Sequence, residues 1–312
     1  MDKSDKIYIA GHKGMVGSAC LRLYKEKGFS NIITRSSKDL DLRDSNAVSD
    51  FFKTERPDYV ILAAAKVGGI KYNSTHQAEF LYENLMIEAN VIHNSYINAV
   101  KKLCYLGSSC IYPCECPQPI KEDYLLTGPL EPTNEGYAVA KIAGFKMAYY
   151  YAKQYAFNTI SLMPCNLYGT NDCFDLEKSH VLSALIKRFV DAVDKNKDSI
   201  TLWGTGIAKR EFLNVDDTAS AIYHLMENWN DPYFMNVGSG KEITIKDLAI
   251  LIAEEAGFKG KINWDPSKPD GMLRKCMDIS KLKATGFNPK ISLTAGIRNL
   301  INEYQTIKEN II

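Results

Sequence analysis

Ile7-Tyr-Ile-Ala-Gly-His-Lys-Gly-Met-Val-Gly17, near the start of the chain, is the stretch from which the fold can be predicted. Its apolar beginning predicts a buried strand over Lys6–Ala10, and an apolar stripe at helical spacing begins at Val16. Glycines between a strand and a helix let backbone N–H groups approach a pyrophosphate, whose charge the helix N-terminus favours. The G-x-x-G-x-x-G spacing is weak evidence alone, because a purely structural turn can have it, but the flanking strand and helix favour a dinucleotide site. The glycines are Gly11, Gly14 and Gly17.

Predicted strands and helices alternate through the first half of the chain. Short β-branched runs, typical of strands buried on both faces, are separated by longer segments with one apolar stripe. The strands are Lys6–Ala10, Asn31–Thr34, Tyr59–Ala63, Leu103–Leu106 and Thr159–Leu162, and the helices are Val16–Lys27, Ser45–Thr54, Ala78–Val100 and Gly136–Tyr155. Such alternation implies parallel strands joined by helical crossovers. The predicted fold class is α/β, a doubly wound parallel sheet of the Rossmann type with a smaller α/β substrate-binding lobe.

The pattern loosens after Pro164, and a chain of 312 residues is long enough for a second lobe. Residues 1–165 are predicted to form the dinucleotide-binding domain, and residues 166–312 the substrate-binding domain. Segments near 212–238 are expected to return to the first domain as a further helix and strand. The second lobe is predicted to contain helices at Val181–Val193, Leu248–Ala256 and Leu293–Tyr304 and a strand at Ile200–Trp203.

Composition and charge exclude several classes of protein. Lys and Arg total 38 against 37 Asp and Glu, for a formal charge of +1, without a long run of one sign. Nucleic-acid-binding and membrane-surface proteins carry such runs, so the expected partner is a small molecule, with no nucleic acid and no membrane. The first apolar run starts too early for a secretory signal, and no apolar stretch approaches bilayer length. We expect a cytoplasmic protein whose eight cysteines are reduced thiols.

Residues near the end of the second strand bear on the choice of dinucleotide. No acid in Thr34–Lys38 is placed to accept from a ribose 2′-hydroxyl. Lys13, Arg35 and Lys38 can instead neutralise a 2′-phosphate, although each could also be a solvated surface base. The sequence therefore predicts NADP(H), with Arg35 as the main contact. Further predicted cofactor contacts are Met15, Val16, Asp41, Leu42, Ala63, Ala64 and Ala65.

Tyr137 and Lys141 lie four residues apart on a predicted helix, which places the phenol and the ammonium on one face. The cation favours the phenolate, so we expect Lys141 to lower the pKa of Tyr137. Reduction of a ketone creates an alkoxide that needs a proton donor, and Tyr137 is predicted to be that donor. Ser108 and Ser109 follow a strand at the carboxyl end of the sheet, where one hydroxyl can hydrogen-bond the carbonyl. A Tyr-x-x-x-Lys match alone could be a pair of surface residues, but the serines and the glycine turn favour a ketone reductase.

Longer motifs extend this interpretation over nearly the whole chain. The two most specific are Leu62-Ala-Ala-Ala-Lys-Val-Gly-Gly69 and Leu106-Gly-Ser-Ser-Cys-Ile-Tyr-Pro113. The others are Ile9–Ser18, Leu130–Asn134, Met163–Gly169, Arg210–Asp217 and Ser267–Gly271. In these motifs the chain resembles the extended short-chain dehydrogenase/reductases, and most closely the GDP-L-fucose synthase family.

The resemblance implies an NADPH-dependent 3,5-epimerase/4-reductase that converts GDP-4-keto-6-deoxy-D-mannose to GDP-L-fucose. It assigns Ser108, Tyr137 and Lys141 to the reductase triad. It assigns Cys110 and His180 to the acid–base pair that inverts C3 and C5, carbons whose protons the neighbouring ketone acidifies. The implied cofactor contacts are Tyr137, Lys141, Pro164 and His180. The implied substrate contacts are Ser108, Ser109, Asn166, Arg188, Trp203, Arg210, Lys268, Asp270 and Arg274.

Several of these residues have plainer alternative roles. Free cysteine is most often a small buried hydrophobe, and a histidine such as His180 can simply begin a helix. Arg188 could be a solvated helix residue and Trp203 a core aromatic. Cys114 and Cys116 lie near Cys110, but without a C-x-x-C pair no metal site is predicted.

Other functions also remain open from the sequence. One is a C4 reductase, or an epimerase/reductase for another GDP-4-keto-6-deoxy sugar such as a heptose. Another is a regulator that binds NADPH without turnover, which would have little reason to keep the triad together with Cys110 and His180. The resemblance also implies a homodimer.

Overall fold

The strands are short, and two of those in the first half of the chain are buried at every residue. The computed structural model describes residues 1–176, 179–268 and 270–310, with only the backbone of residues 70 and 71. The strands are β1 (Ile7–Ala10), β2 (Ile32–Ile33), β3 (Tyr59–Leu62), β4 (Lys102–Leu106), β5 (Thr159–Pro164), β6 (Asn166–Tyr168), β7 (Ser199–Trp203), β8 (Lys209–Asn214), β9 (Met235–Val237), β10 (Glu242–Thr244), β11 (Lys261–Asp265) and β12 (Arg274–Lys275).

The helices carry the crossovers between the strands, and their ends follow local capping chemistry. The α-helices are α1 (Met15–Glu26), α2 (Ser45–Glu55), α3 (Ile70–Thr75), α4 (Gln77–Ile97), α5 (Glu135–Tyr155), α6 (Val181–Asp194), α7 (Val215–Asn228), α8 (Ile245–Ala256), α9 (Ser280–Ala284) and α10 (Leu293–Glu309). At the start of α8, the Thr244 hydroxyl accepts from the Asp247 backbone N–H at 2.9 Å and donates to the Asp247 carboxylate at 2.6 Å. This capping interaction fixes where α8 begins.

The described residues contain one sheet of six strands in the order β2-β1-β3-β4-β5-β9, and every pair is parallel. The order reverses between β1 and β3, which opens a crevice beyond the carboxyl ends of these strands. The predicted doubly wound α/β fold is confirmed.

The second lobe is built around β8. This strand pairs with β10 in the antiparallel direction and with β12 and β6 in the parallel direction, while β7 and β11 form a separate parallel pair. Helices α6, α8 and α10 supply its apolar core, which includes Phe189, Leu248 and Ile297. Strands β6, β8, β10, β11 and β12 were not predicted. Three of them, β6, β10 and β12, have only two or three residues and are too short to show a clear period. Strand β8 is longer, but charged and apolar residues do not alternate in it. Strand β11 does alternate polar and apolar residues, but over only 5 residues.

Two segments from the second half of the chain join the large sheet or its core. Helix α7 and strand β9 share its core through residues such as Ile222 and Met235. Met277 and Leu282 also belong to this core. The segment around α9 therefore packs on the first domain, whereas the predicted boundary assigned everything after 238 to the second. Among the described residues, no helix combines the length and apolar character needed to cross a bilayer.

Candidate active site at the carboxyl edge of the sheet

The glycine turn forms a cradle where β1 ends. Gly11 has a φ of +84°, and a Cβ there would lie 2.7 Å from the backbone nitrogen of Ala64. A Cβ on Gly17 would lie 2.2 Å from the Gly11 carbonyl oxygen. Helix α1 has Gly14 as its N-cap, with no side-chain cap and no acid in its first turn. The first N–H groups of α1 are thus free of side-chain acceptors, and the turn fits a pyrophosphate.

The other predicted cofactor contacts belong to three segments, of which the alanines after β3 lie against this cradle. The backbone N–H of Ala63 donates to the Ala10 carbonyl at 3.1 Å, which holds the three alanines against the turn. The carbonyl of Leu42 accepts from the amide of Asn90 at 2.9 Å. Met15 and Val16 lie in the first turn of α1, and Ala65 lies in the segment after β3. The carboxylate of Asp41 forms an ion pair with Arg43.

Two of the three bases predicted to select NADP(H), Lys13 and Arg35, lie near Asp39, whereas no contact places Lys38 with them, and Arg35 already has a partner. Its Nη2 lies 2.5 Å from a carboxylate oxygen of Glu55. Hydrogen bonds from Ser36, together with the charges of Lys13 and Arg35, hold the pKa of Asp39 below its usual value. Asp39 was not predicted as a site residue, because it lies one residue beyond Thr34–Lys38, the segment where the second predicted strand ends.

A 3-10 turn after β4 carries the serines and the cysteine. The turn spans Ser109–Ile111, and the Ser108 hydroxyl accepts from the Cys110 backbone N–H at 3.2 Å. Ser109 is buried, whereas Ser108 and Cys110 are half-buried. The amide Nδ2 of Asn134 donates to the Cys110 sulfur at 3.4 Å. The thiol therefore has a fixed donor at the carboxyl edge of the sheet.

Helix α5 brings the phenol and the ammonium to the same edge. Lys141 is almost completely buried; its Nζ donates to the Leu106 carbonyl at 2.9 Å and lies 3.0 Å from a carboxylate oxygen of Glu88. Nζ is 5.8 Å from the centre of the Tyr137 ring. Tyr137 and Lys141 thus lie beside the turn that carries Ser108 and Cys110.

The acidity of Tyr137 differs from the expectation that Lys141 would lower its pKa. Burial raises the pKa of Tyr137, and the charges of Cys110 and Glu88 raise it further. Hydrogen bonding with Ser108 acts in the opposite direction. The sequence could show neither the burial of the phenol nor the pairing of Glu88 with Lys141, so it overestimated the effect of the ammonium on the pKa of Tyr137.

His180 begins α6 as its N-cap and is exposed. Burial raises the pKa of Asp172, and the charge of His180 partly offsets this effect. Among the described residues, no hydrogen bond or ion pair joins His180 to Ser108, Cys110 or Tyr137. Pro164 ends β5, which pairs with β4 through Leu106.

Arg188 and Arg210, the predicted phosphate ligands, lie in the second lobe and are both half-buried. Arg188 donates to the Thr201 carbonyl and lines a cavity of about 330 Å³ that also contains Lys195 and Lys197. Burial lowers the pKa of each arginine, and Asp270 partly offsets this for Arg210. These guanidinium groups are therefore partly desolvated, a state that pairing with an anion would stabilise.

Asp270 organises the loop after β7. Its carboxylate accepts from the backbone N–H and the hydroxyl of Thr205, both at 2.7 Å. A Cβ on Gly204 would lie 2.3 Å from this carboxylate, so only glycine leaves room for it. Trp203, just before the loop, is exposed, which argues against a core role for its ring.

Three further residues predicted to contact the substrate form ion pairs or hydrogen bonds within the protein. Arg274 is paired with Glu242 at 2.7 Å, and the Asn166 amide donates to the Glu211 carbonyl at 2.9 Å. Lys268 is exposed, and its backbone N–H closes a turn onto Asp265. Within the motif Ser267–Gly271, residue 269 lies outside the described residues.

Similarity to known proteins shows the family to which the chain belongs. A family model described as the NAD dependent epimerase/dehydratase family matches residues 7–238. The chain is 52% identical to GDP-L-fucose synthase 1 of Arabidopsis thaliana, over 97% of this chain and 94% of that protein. It is 48% identical to the GDP-L-fucose synthase of Escherichia coli (strain K12), over 98% of this chain and 97% of that protein. The chain belongs to the GDP-L-fucose synthase family, within the NAD dependent epimerase/dehydratase family. The predicted resemblance is confirmed.

A solved structure is also similar to this member of the GDP-L-fucose synthase family. It is a GDP-mannoheptose C4 reductase from Campylobacter jejuni with NADP bound, 36% identical, with a TM-score of 0.90 over 98% of this chain and 99% of that chain.

Residues from both lobes surround Cys110 in this family member, and several escaped the sequence analysis. A cleft of about 30 Å³ beside the thiol is lined by Glu131 and Asn134 from the first domain and by Met272 and Lys275 from the second lobe. Glu131 and Asn134 belong to the motif Leu130–Asn134, but no role was predicted for their side chains. The cleft indicates that Cys110 faces the space between the lobes.

Proposed function

We propose that this protein binds NADP(H), epimerises GDP-4-keto-6-deoxy-D-mannose at C3 and C5, and reduces it at C4 to give GDP-L-fucose. The observation that carries the proposal is the meeting of a thiol, two hydroxyls and a lysine at one sheet edge: Cys110, Ser108, Tyr137 and Lys141. Two relatives near 50% identity that are named GDP-L-fucose synthase support the same substrate.

One carbonyl serves both reactions in this proposal. Ser108 and Tyr137 hydrogen-bond the C4 oxygen and stabilise the enolate that forms when a neighbouring carbon loses its proton. Cys110 removes that proton as a thiolate, and His180 delivers one to the opposite face. NADPH, when bound, supplies the hydride that reduces C4. Tyr137 then gives its phenolic proton to the C4 oxygen.

The site of the cofactor is supported by the cradle at Gly11, Gly14 and Gly17. A side chain at Gly11 or Gly17 would collide with neighbouring backbone atoms, so the turn can form only with glycine there. The N-terminus of α1 favours the negative charge of a phosphate. Lys13 and Arg35, which both lie near Asp39, are the groups that would meet a 2′-phosphate. Arg35 would then have to share its guanidinium with Glu55.

The GDP moiety is assigned to the second lobe. Arg188 and Arg210 are half-buried cations that suit a diphosphate, because a guanidinium forms paired charge-assisted hydrogen bonds. Trp203 is exposed beside the loop that Asp270 organises, where its ring can cover a base or a sugar.

A C4 reductase of a GDP-linked heptose is the second candidate. It is favoured by the similarity to the GDP-mannoheptose C4 reductase. The higher identity to the fucose synthases, and the fixed donor on Cys110, favour the hexose and the double inversion.

The proposal is tested by incubating the purified protein with GDP-4-keto-6-deoxy-D-mannose and NADPH in deuterated water, followed by NMR of the product. Deuterium at C3 and C5 together with a reduced C4 is the expected result. Reduction without deuterium would leave a C4 reductase and remove Cys110 and His180 from the mechanism. The same experiment with the corresponding heptose decides between the two sugars by the ratio of kcat/KM.

A homodimer and a cytoplasmic location are part of the same proposal. Helices α4 and α5 pack together and expose large apolar side chains at Tyr82, Ile97, Val139 and Tyr150, a surface that a second copy could cover. All eight cysteines are free, as in a reducing compartment. Light scattering at several concentrations would measure the oligomeric state.

A further inference from the structure

A carboxylate lies buried directly behind the predicted reductase triad. Glu88 belongs to α4 and is 1% exposed, and Lys141 of α5 is 2% exposed. Their side chains approach to 3.0 Å between Oε1 and Nζ, while the same Nζ donates to the Leu106 carbonyl at 2.9 Å. The ammonium is therefore held between an acid from one helix and a carbonyl from β4.

The surroundings leave a space of defined size for this acid. Gly144 lies one turn after Lys141, and a Cβ there would come within 2.3 Å of Glu88 Oε2 and 2.6 Å of the Tyr105 hydroxyl. Tyr105 in turn donates to the Lys141 carbonyl at 3.0 Å. Glycine inside a helix costs about 1 kcal/mol relative to alanine, so the space at Gly144 has a stability cost.

Burying an ion pair is not an efficient way to stabilise a fold, since desolvation cancels much of the attraction. We propose that Glu88 is a positioning residue of the reduction site, which holds the Lys141 ammonium in place and balances its charge beside Tyr137. This inference rests on the proposed function, because it assigns Glu88 a part in that reaction.

The charge of Glu88 has a predictable effect on the pH profile. The ionisable groups that face the phenol are Glu88 from α4, Cys110 from the turn after β4, and Lys141 from its own helix, with Tyr105 of β4 behind them. A negative charge disfavours a second one nearby, so Glu88 raises the pKa of Tyr137. Tyr137 acts in its protonated form, and the reduction rate falls as the pH rises through this pKa. Removing the charge must move that fall to lower pH.

Glu88→Gln is the first test, because glutamine keeps the shape and one oxygen acceptor but loses the charge. The alkaline limb of kcat for NADPH-dependent reduction is expected to move down by about one pH unit. Deuterium exchange at C3 and C5, measured at neutral pH without NADPH, is expected to stay within about twofold, a change of no more than roughly 0.4 kcal/mol.

Gly144→Ala provides a second variant that keeps every charge and displaces the carboxylate. The alkaline limb of kcat is expected to move to lower pH in this variant too. Asp217→Asn is the matched control, because this acid is also buried and accepts from the Lys290 and Ile291 backbone N–H groups at 3.0 and 2.8 Å. Its substitution should lower the melting temperature and leave the limb in place.

An alkaline limb that stays at its wild-type position in either folded variant overturns the inference and makes the Glu88–Lys141 pair purely structural. If the wild-type protein itself catalyses no NADPH-dependent reduction, the proposed function fails instead. The two failures are therefore distinguishable.

Discussion

The side-chain amide of Asn134 donates to the sulfur of Cys110 at 3.4 Å. Asn134 immediately precedes α5, and Cys110 lies in the turn after β4, so this contact joins the two segments that carry the predicted reduction and epimerisation groups. A hydrogen-bond donor favours a charged thiolate over the neutral thiol. The contact therefore suits a cysteine that acts as a base.

Replacing Asn134 by alanine is expected to slow deuterium incorporation at C3 and C5 by about tenfold, the effect of losing one hydrogen bond to a charged group. The measurement is NMR of the substrate in deuterated water without NADPH. Asn228→Ala, which removes an exposed amide at the end of α7, is the control. Equal exchange rates in the two variants would show that Asn134 does not assist the thiolate.

Tyr137→Phe is expected to reduce NADPH oxidation by about 100-fold or more, since it removes the general acid. Deuterium exchange should remain measurable, because Ser108 still hydrogen-bonds the ketone. Tyr150→Phe, an exposed tyrosine of the same helix, should behave like the wild type. A loss of exchange as large as the loss of reduction would refute this division of roles.

Cys110→Ser should give the reverse result. A serine hydroxyl is a far weaker base than a thiolate, so exchange at C3 and C5 should fall by about 100-fold or more while part of the C4 reduction persists. Cys173→Ser, at an exposed free cysteine, is the control. If both activities survive in Cys110→Ser, Cys110 is only a packing residue.

Arg210→Ala is expected to weaken GDP binding by about tenfold or more, because a half-buried charged donor is lost. Arg274→Ala should change the affinity only a few-fold, since Arg274 is tied to Glu242 in a pair of the kind worth about 0–1 kcal/mol. Isothermal titration calorimetry with GDP measures both. A larger loss of GDP affinity in Arg274→Ala would show that Arg274 does contact the substrate and that its pair with Glu242 opens on binding.

Gly11→Ala is expected to abolish NADPH binding and to cost roughly 1–3 kcal/mol of folding free energy, since alanine is strained at this φ and would press on Ala64. Gly257→Ala is a suitable comparison because Gly257 has a φ of +75° but no atom within 4 Å of the position that an added methyl group would take. It should lose about 1–2 kcal/mol and bind NADPH normally. Fluorescence titration of NADPH and thermal unfolding distinguish the two. Normal NADPH binding by Gly11→Ala would exclude the cradle as the cofactor site.

The sequence alone determined the fold class and the locations of the main chemical groups. Strand and helix periods, the glycine turn, and the spacing of Tyr137 and Lys141 are local properties of a chain, so they can be read without knowing which distant segments meet. The serines and Cys110 were found for the same reason, since they follow a strand directly.

Only the tertiary structure decided how these groups are charged and held. Glu88 against Lys141, Asn134 against Cys110, and Glu55 against Arg35 join residues about 20 or more positions apart, from elements whose packing no spacing rule predicts. Burial is the main reason why the phenol of Tyr137 is less acidic than expected, and the charges of Cys110 and Glu88 add to it. In a poorly solvated site a neighbouring charge acts strongly, and both the burial and the position of the charge depend on how the helices pack.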